Sequence, residues 1–264
     1  MQFLVSADES LYDANGGKVV FTVAGETQEV AFKDWTASGD DYIVECEVAA
    51  KQMTDTITVQ FVDKNGAVST QTTYSVAEYA NAILAGEDQA AKELVKATLN
   101  YGAYAQIYFG YNTENLANAG LYEAGQNPVE LKTTVTAATA TVSGALDGVS
   151  MKSLALGLET ETEIYVLFTL TDVALADVTF KVDGETVKAV ADTNGGYIVI
   201  KNVAAKDVDK EYTVTATYGE NTVTYTVSAQ CYISAAFGQS ENAAYNDLLK
   251  AIELYNVAAN AYFA

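Results

Sequence analysis

Carboxylates and aromatic rings are the side chains of this sequence whose types and spacing could do chemistry. Asp13-Ala14-Asn15-Gly16-Gly17 and Asp192-Thr193-Asn194-Gly195-Gly196 resemble half of a calcium loop. A full loop alternates oxygen ligands and closes on a bidentate glutamate, which neither stretch has at the right spacing. Turn chemistry is the better reading of both, and no metal ligand is assigned. Asp40-Asp41 and the pair Glu45 and Glu47 offer adjacent carboxylates. A glycosidase needs two carboxylates held across a cleft, one with a raised pKa. These pairs fall on a turn or on a solvated strand face, so no catalytic residue is assigned either.

What the chain lacks narrows the chemistry further. It contains no histidine and no arginine. Without histidine there is no Ser-His-Asp or Cys-His nucleophile system, and the usual zinc sites are lost as well. Without arginine there is no planar fork for phosphate or carboxylate. The chain is therefore read as a non-enzyme that needs no cofactor. Cys46 and Cys231 cannot build a disulfide framework and read as two small buried hydrophobes, although a bridge between them stays open.

Binding is the remaining chemistry. Trp35 is the only tryptophan, in Phe32-Lys33-Asp34-Trp35. It could anchor a protein partner, stack on a sugar, or pack between sheets as a core residue. Tyr12 and Tyr122 are further candidates, because they too lie outside the repeated core pattern described below. The net charge of -21 repels a phosphate backbone, which excludes nucleic acid, and it favours a soluble monomer. No apolar run reaches the roughly 18 residues of a membrane span, and the first residues do not read as a signal peptide.

The elements that must position these residues come from a duplication. VVFTVAGET (19–27) matches VTFKVDGET (178–186), Tyr42-Ile43-Val44 matches Tyr197-Ile198-Val199, and VAAK (48–51) matches VAAK (203–206). Thr73-Tyr74-Ser75-Val76 matches Thr224-Tyr225-Thr226-Val227, and LVKATLNYGAYAQIYF (94–109) matches LLKAIELYNVAANAYF (248–263). Each copy alternates in strand fashion at first. Tyr42, Val44, Cys46 and Val48 face one way, while Glu45 and Glu47 face the other. Asp63-Lys64-Asn65-Gly66, Asp183-Gly184 and Gly219-Glu220-Asn221 supply tight turns. About six strands are expected in a full copy.

The period then becomes helical, over 76–84 and 89–109 in the first copy and about 230–237 and 243–263 in the second. The stripes Leu94, Thr98, Tyr101, Ala105, Tyr108 and Leu248, Ile252, Tyr255, Ala259, Tyr262 read as packing seams, not ligand platforms. The expected fold is mainly β with α: two tandem immunoglobulin-like antiparallel β-sandwich repeats, each followed by a helical hairpin. The first repeat spans 1–110, with its sandwich over 1–75 and helices over 76–109. A linker with one helical turn follows over 111–135. The second repeat spans 136–264, with its sandwich over 136–228 and helices over 229–263. The first repeat is short at its front, with too few residues before Val19 to match both 149–158 and 162–169. Either it is a trimmed member of an array, or another segment completes its sheet.

NYGAYAQIYFGYNTENLANAG (100–120), KNVAAKDVDKEYTVTA (201–216) and LYNVAANAYF (254–263) carry a family likeness. The chain resembles a repeat found in large surface and secreted proteins of gut and rumen Firmicutes. That resemblance implies an extracellular, cell-surface fragment of a larger protein and implies no activity. At the level of general organisation it is also similar to immunoglobulin-binding, superantigen-like proteins of gut commensals, which implies an antibody as one partner. Three functions remain: an adhesion module for a host or neighbouring protein, a carbohydrate-binding module, and a structural spacer.

Overall fold

The computed structural model describes all of the chain except residues 9, 14–15, 124–129, 159–160 and 194, and except the side chains of residues 122–123. The protein is mainly β, with four antiparallel sheets and five α-helices among the described residues. The chain divides into two compact units, Met1–Pro128 and Val129–Ala264. No described helix is long and apolar enough to cross a membrane.

In the first unit the strands are β1 (Gln2–Val5), β2 (Lys18–Val23), β3 (Glu26–Ala31), β4 (Thr36–Ser38), β5 (Asp41–Glu45), β6 (Ile57–Val62) and β7 (Thr72–Tyr74). One sheet runs β3-β2-β6-β7 and the other β1-β5-β4. Alternation explains the packing. Val19, Phe21 and Val23 from β2 and Ile57 and Val59 from β6 meet Val44 and Cys46 from the other sheet in one buried core. The β2–β3 turn places Ala24 and Gly25 at φ 50° and 86°, the left-handed pair that a tight hairpin demands.

In the second unit the strands are β8 (Thr141–Ser143), β9 (Val149–Leu158), β10 (Thr162–Leu170), β11 (Thr179–Val182), β12 (Glu185–Val187), β13 (Val190–Asp192), β14 (Gly195–Ile200), β15 (Tyr212–Tyr218) and β16 (Asn221–Val227). Its sheets run β12-β11-β15-β16-β8 and β13-β14-β10-β9. The extra strands beyond the six expected are mostly three-residue edge segments, too short to show a period in sequence.

The strand orders of the two units correspond element by element. β3-β2-β6-β7 parallels β12-β11-β15-β16, and β4-β5-β1 parallels β13-β14-β10. Register corrects one detail of the sequence alignment. The hairpins pair Ser38 with Asp41 and Asp192 with Gly195, so Val44 is equivalent to Ile198, not to Val199. Val44 and Ile198 are both buried, as this pairing requires. The match of Tyr42-Ile43-Val44 to Tyr197-Ile198-Val199 is one residue out, and in a strand that slip exchanges the two faces.

Each unit continues into a helical hairpin, α1 (Val76–Leu84) with α2 (Gln89–Phe109), and α4 (Ala229–Ala236) with α5 (Ala243–Phe263). A short α3 (Ala119–Glu123) follows α2. Ser75 and Ser228 cap the first helices, accepting hydrogen bonds from the backbone N–H of Glu78 and Cys231, and Asp88 and Asn242 cap the second. The helical stripes are core only in part. Tyr101, Ala105, Leu248, Ile252 and Ala259 are buried, but Tyr108 and Tyr262, in the last turn of each helix, are exposed.

The segment expected as a linker is anchored at both ends. The Gln106 side chain, fully buried, donates to the carbonyls of Asn112 and Asn115 and accepts from the N–H of Ala117. Leu121 is also fully buried. Residues 111–121 therefore belong to the first unit, because their backbone groups find partners there that an open linker lacks. At the other end Thr136 binds Glu253 of α5.

α2 also lies close against a 3-10 turn at Ala50–Gln52, and Gly102 permits it. A Cβ at Gly102 would sit 2.5 Å from Met53 Sδ and 3.2 Å from the Ala50 carbonyl oxygen. In α5 the equivalent position is Asn256, whose amide instead donates to the Ala205 carbonyl at 2.8 Å. Gly102→Ala is expected to destabilise the first unit by about 1–3 kcal/mol through overpacking, read as a lower urea midpoint. An unchanged midpoint would mean that Met53 and the turn move aside without cost.

Candidate functional site

The first unit holds a cleft of about 520 Å³ with mostly apolar walls. Residues 3–7 of β1 and its extension form one wall, and Thr72 and Tyr74 of β7 form the opposite one. Val19, Phe21, Val59, Phe61, Tyr12 and Trp35 complete the lining. The cleft exists because β1 and β7 both end their sheets.

Trp35 follows a 3-10 turn at Phe32–Asp34. Its ring packs 5.0 Å from Phe32, 5.6 Å from Tyr12 and 5.9 Å from Tyr42, centre to centre. Its indole N–H donates to the Val30 carbonyl at 3.1 Å. Only 7% of the residue is exposed, so Trp35 forms part of the cleft lining as a core residue and offers no open face for a sugar to stack on. Tyr12 is half-buried beside it. The structure places Trp35 and Tyr12, two candidates named separately from sequence, side by side in the same lining. Tyr122 lies in α3, and its side chain falls outside the described residues. Sequence reasoning missed Phe3, Phe61 and Tyr74. Phe3 and Tyr74 lie on strands that end their sheets and Phe61 on the internal β6, a distinction that strand alternation in the sequence does not carry.

The carboxylates behave as surface and turn groups. Asp13 pairs with Lys64 Nζ at 3.0 Å, and Asp192 accepts from the N–H of Thr193 at its hairpin. Ala14, Asn15 and Asn194 of the two turn stretches lie outside the described residues. Asp41 accepts from Ser6, and Glu45 from Gln2 across the β1–β5 ladder. Among the described residues no three His, Cys, Asp or Glu side chains gather as a metal site would require.

Cys46 and Cys231 are free and buried, one in each unit, so the bridge left open by sequence is not formed. Burial pushes the Cys46 thiol up to about 11 from an ordinary 9.0. The neutral thiol is favoured in the folded state, so its stabilisation is intact below pH 9 and fades as pH rises towards 11. The first unit is expected to lose urea resistance between these pH values, and Cys46→Ala should flatten that slope. An identical slope in the variant would show that the loss has another origin.

A second apolar surface recurs in both units. Tyr108 and Phe109, and likewise Tyr262 and Phe263, stand exposed in edge-on pairs with centres 4.9 Å apart. Lys51 lies over Phe109 and Lys206 over Phe263. Fold and site together define a mainly β protein of two-sheet units with helical hairpins, with an apolar cleft in the first unit. No family model and no curated protein matches the chain.

Proposed function

We propose that this chain is a non-enzymatic extracellular binding module of a bacterial surface protein that recognises a host or neighbouring protein. In this reading its two units are immunoglobulin-like sandwich repeats, and the cleft of the first unit is the recognition site. The observation that carries the proposal is that cleft: apolar, aromatic, and flanked by two strand edges with no outer neighbour among the described residues. Apolar walls with free backbone donors and acceptors suit a polypeptide better than a sugar or a phosphate. The net charge of -21 supports the same choice, since it disfavours polyanions. The burial of Trp35 removes the platform that a carbohydrate-binding reading would use there.

The test immobilises the whole chain and exposes it to intestinal mucus, serum and purified immunoglobulin, each intact and enzymatically deglycosylated. A protein retained from both forms, and released by Tyr12→Glu at the cleft, is the expected result. Retention from the glycosylated form alone would establish carbohydrate recognition instead. An empty column in every arm would leave a spacer.

A further inference from the structure

The two units share a fold, so side chains that the fold requires recur in both, and those that only one unit carries need another account. The outer face of the sheet β13-β14-β10-β9 holds such a difference. On β10, Ile164, Val166 and Phe168 are buried, so Tyr165 and Leu167 face the other way, with Tyr197 and Val199 beside them on β14. The two tyrosine rings lie 5.6 Å apart, centre to centre. Register makes Gln2 the equivalent of Tyr165 and Ile43 the equivalent of Tyr197. The sandwich therefore folds without aromatic rings at these positions.

Gly157 sets the posture of the first ring. It belongs to β9, the strand beside β10, and a Cβ there would sit 2.9 Å from Tyr165 Cε2. The glycine gives the ring room to lean across bare backbone. Tyr165 and Tyr197 are both half-buried, so part of each ring stays in contact with solvent.

The Tyr165 hydroxyl is held as well. It donates to Glu163, whose other oxygen lies 3.3 Å from Lys201 Nζ, and Glu161 lies 3.9 Å from the same nitrogen. The bond to Glu163 pushes the Tyr165 hydroxyl up to about 12 from an ordinary 10.0, and it holds the Glu163 carboxyl below its usual range. Glu163 thus stays ionised beside a lysine side chain that is 65% exposed.

This set of groups has the chemistry of a sugar site. The C–H face of a pyranose is apolar and slightly positive, so it packs on the π face of a fixed ring. Vicinal hydroxyls each donate and accept, so one accepts from an ammonium while its neighbour donates to a carboxylate. Lys201 and Glu163 offer that pair beside the rings. A polypeptide anchor instead buries a side chain in a pocket, where a sheet surface offers rings and an ion pair. Glu161, Glu163 and the net charge of -21 oppose acidic sugars.

We propose that the outer face of β10 and β14 binds a neutral glycan, with pyranose rings stacked on Tyr165 and Tyr197 and hydroxyls bound to Lys201 and Glu163. This site lies in the second unit and does not rest on the protein-binding reading of the first-unit cleft. The deglycosylated arm of the capture experiment therefore bears on the cleft alone.

The test runs the whole chain in native gels cast with neutral soluble polymers of glucose, mannose, galactose or xylose, and with acidic polygalacturonate. The expected result is retardation by at least one neutral polymer and none by polygalacturonate. Tyr165→Ala and Tyr197→Ala should each weaken that polymer at least ~10-fold, whereas Tyr165→Phe, which keeps the ring, should cost less than ~3-fold. Lys201→Gln changes an exposed side chain and should weaken it at least ~5-fold. Gly157→Val suits a strand and spares the core, yet its side chain displaces the Tyr165 ring and should also weaken binding at least ~10-fold. Urea unfolding checks that each variant keeps its fold, and where Tyr165→Ala does not, Gly157→Val and Lys201→Gln decide. Retardation by no neutral polymer overturns the proposal, as does retardation that survives both alanine variants. Equal losses in Tyr165→Phe and Tyr165→Ala would make the hydroxyl the contact and refute stacking. Loss of the polymer in Tyr12→Glu would assign the sugar to the cleft instead. If a deglycosylated protein held by the whole chain is released by Tyr165→Ala, the face takes a polypeptide and the proposal fails.

Discussion

Phe180→Ala is expected to weaken the second unit by about 3–5 kcal/mol, and Phe21→Ala to weaken the first by the lower part of that range. Both rings are buried at the middle of equivalent strands, at 2% and 0% exposure. Phe180 packs 4.7 Å from Phe168, in a core roofed by β8 and β9. Its removal leaves a dry cavity that the surrounding strands cannot fill, and the lost contacts add to the lost transfer energy. Phe21 packs 5.2 Å from Phe3 and lines the open cleft. Water can enter the space it leaves, and Phe3, only half-buried, has room to move in. Amide exchange in urea, followed separately for peptides from 18–23 and 179–182, reads the two losses. Equal losses would mean that the cleft does not soften the first core.

Glu253→Ala is the second large effect. Glu253 is a carboxylate only 4% exposed on α5. Its two oxygens accept from the Thr136 N–H at 2.7 Å, the Thr136 hydroxyl at 2.8 Å and the Gln230 amide at 3.2 Å, with Lys132 at 3.5 Å. This arrangement ties the chain ahead of β8 to both helices of the second unit. Alanine removes the acceptor shared by Thr136 and Gln230 and leaves the buried Gln230 amide only the Thr136 carbonyl, so a loss of about 1–3 kcal/mol is expected. Glu253→Gln keeps the shape but points an amide donor at other donors, and should recover only part of the loss. Urea unfolding of both variants measures this, with new proteolytic cleavage expected near residues 130–136. Full stability in Glu253→Ala would mean that water replaces the carboxylate and the segment needs no anchor.

Much of the fold is legible in the residues because it depends on local periods. Helix ends at Ser75, Asp88, Ser228 and Asn242 follow from capping chemistry, and strands β2, β6 and β14 from alternation over six residues. Three-residue edge strands such as β4, β8 and β13 carry no such signal. Nor did the sequence show Gln106 as a buried hub, since a glutamine on a helix reads as surface until its partners at 112–117 fold back onto it.

The candidate site divides in the same way. Residue types by themselves determined which chemistry is out of reach: a chain without histidine or arginine cannot assemble the common nucleophilic and zinc centres. They also picked out Trp35 and Tyr12 as candidates. Only the tertiary structure decided that Trp35 is a buried lining residue, that Phe3 and Tyr74 meet in one cleft lining, and that β1 and β7 end their sheets beside it among the described residues. The reason is range. A cleft between β1 and β7 brings together residues about seventy apart, and their meeting depends on how two sheets pack across a core, which no local spacing encodes.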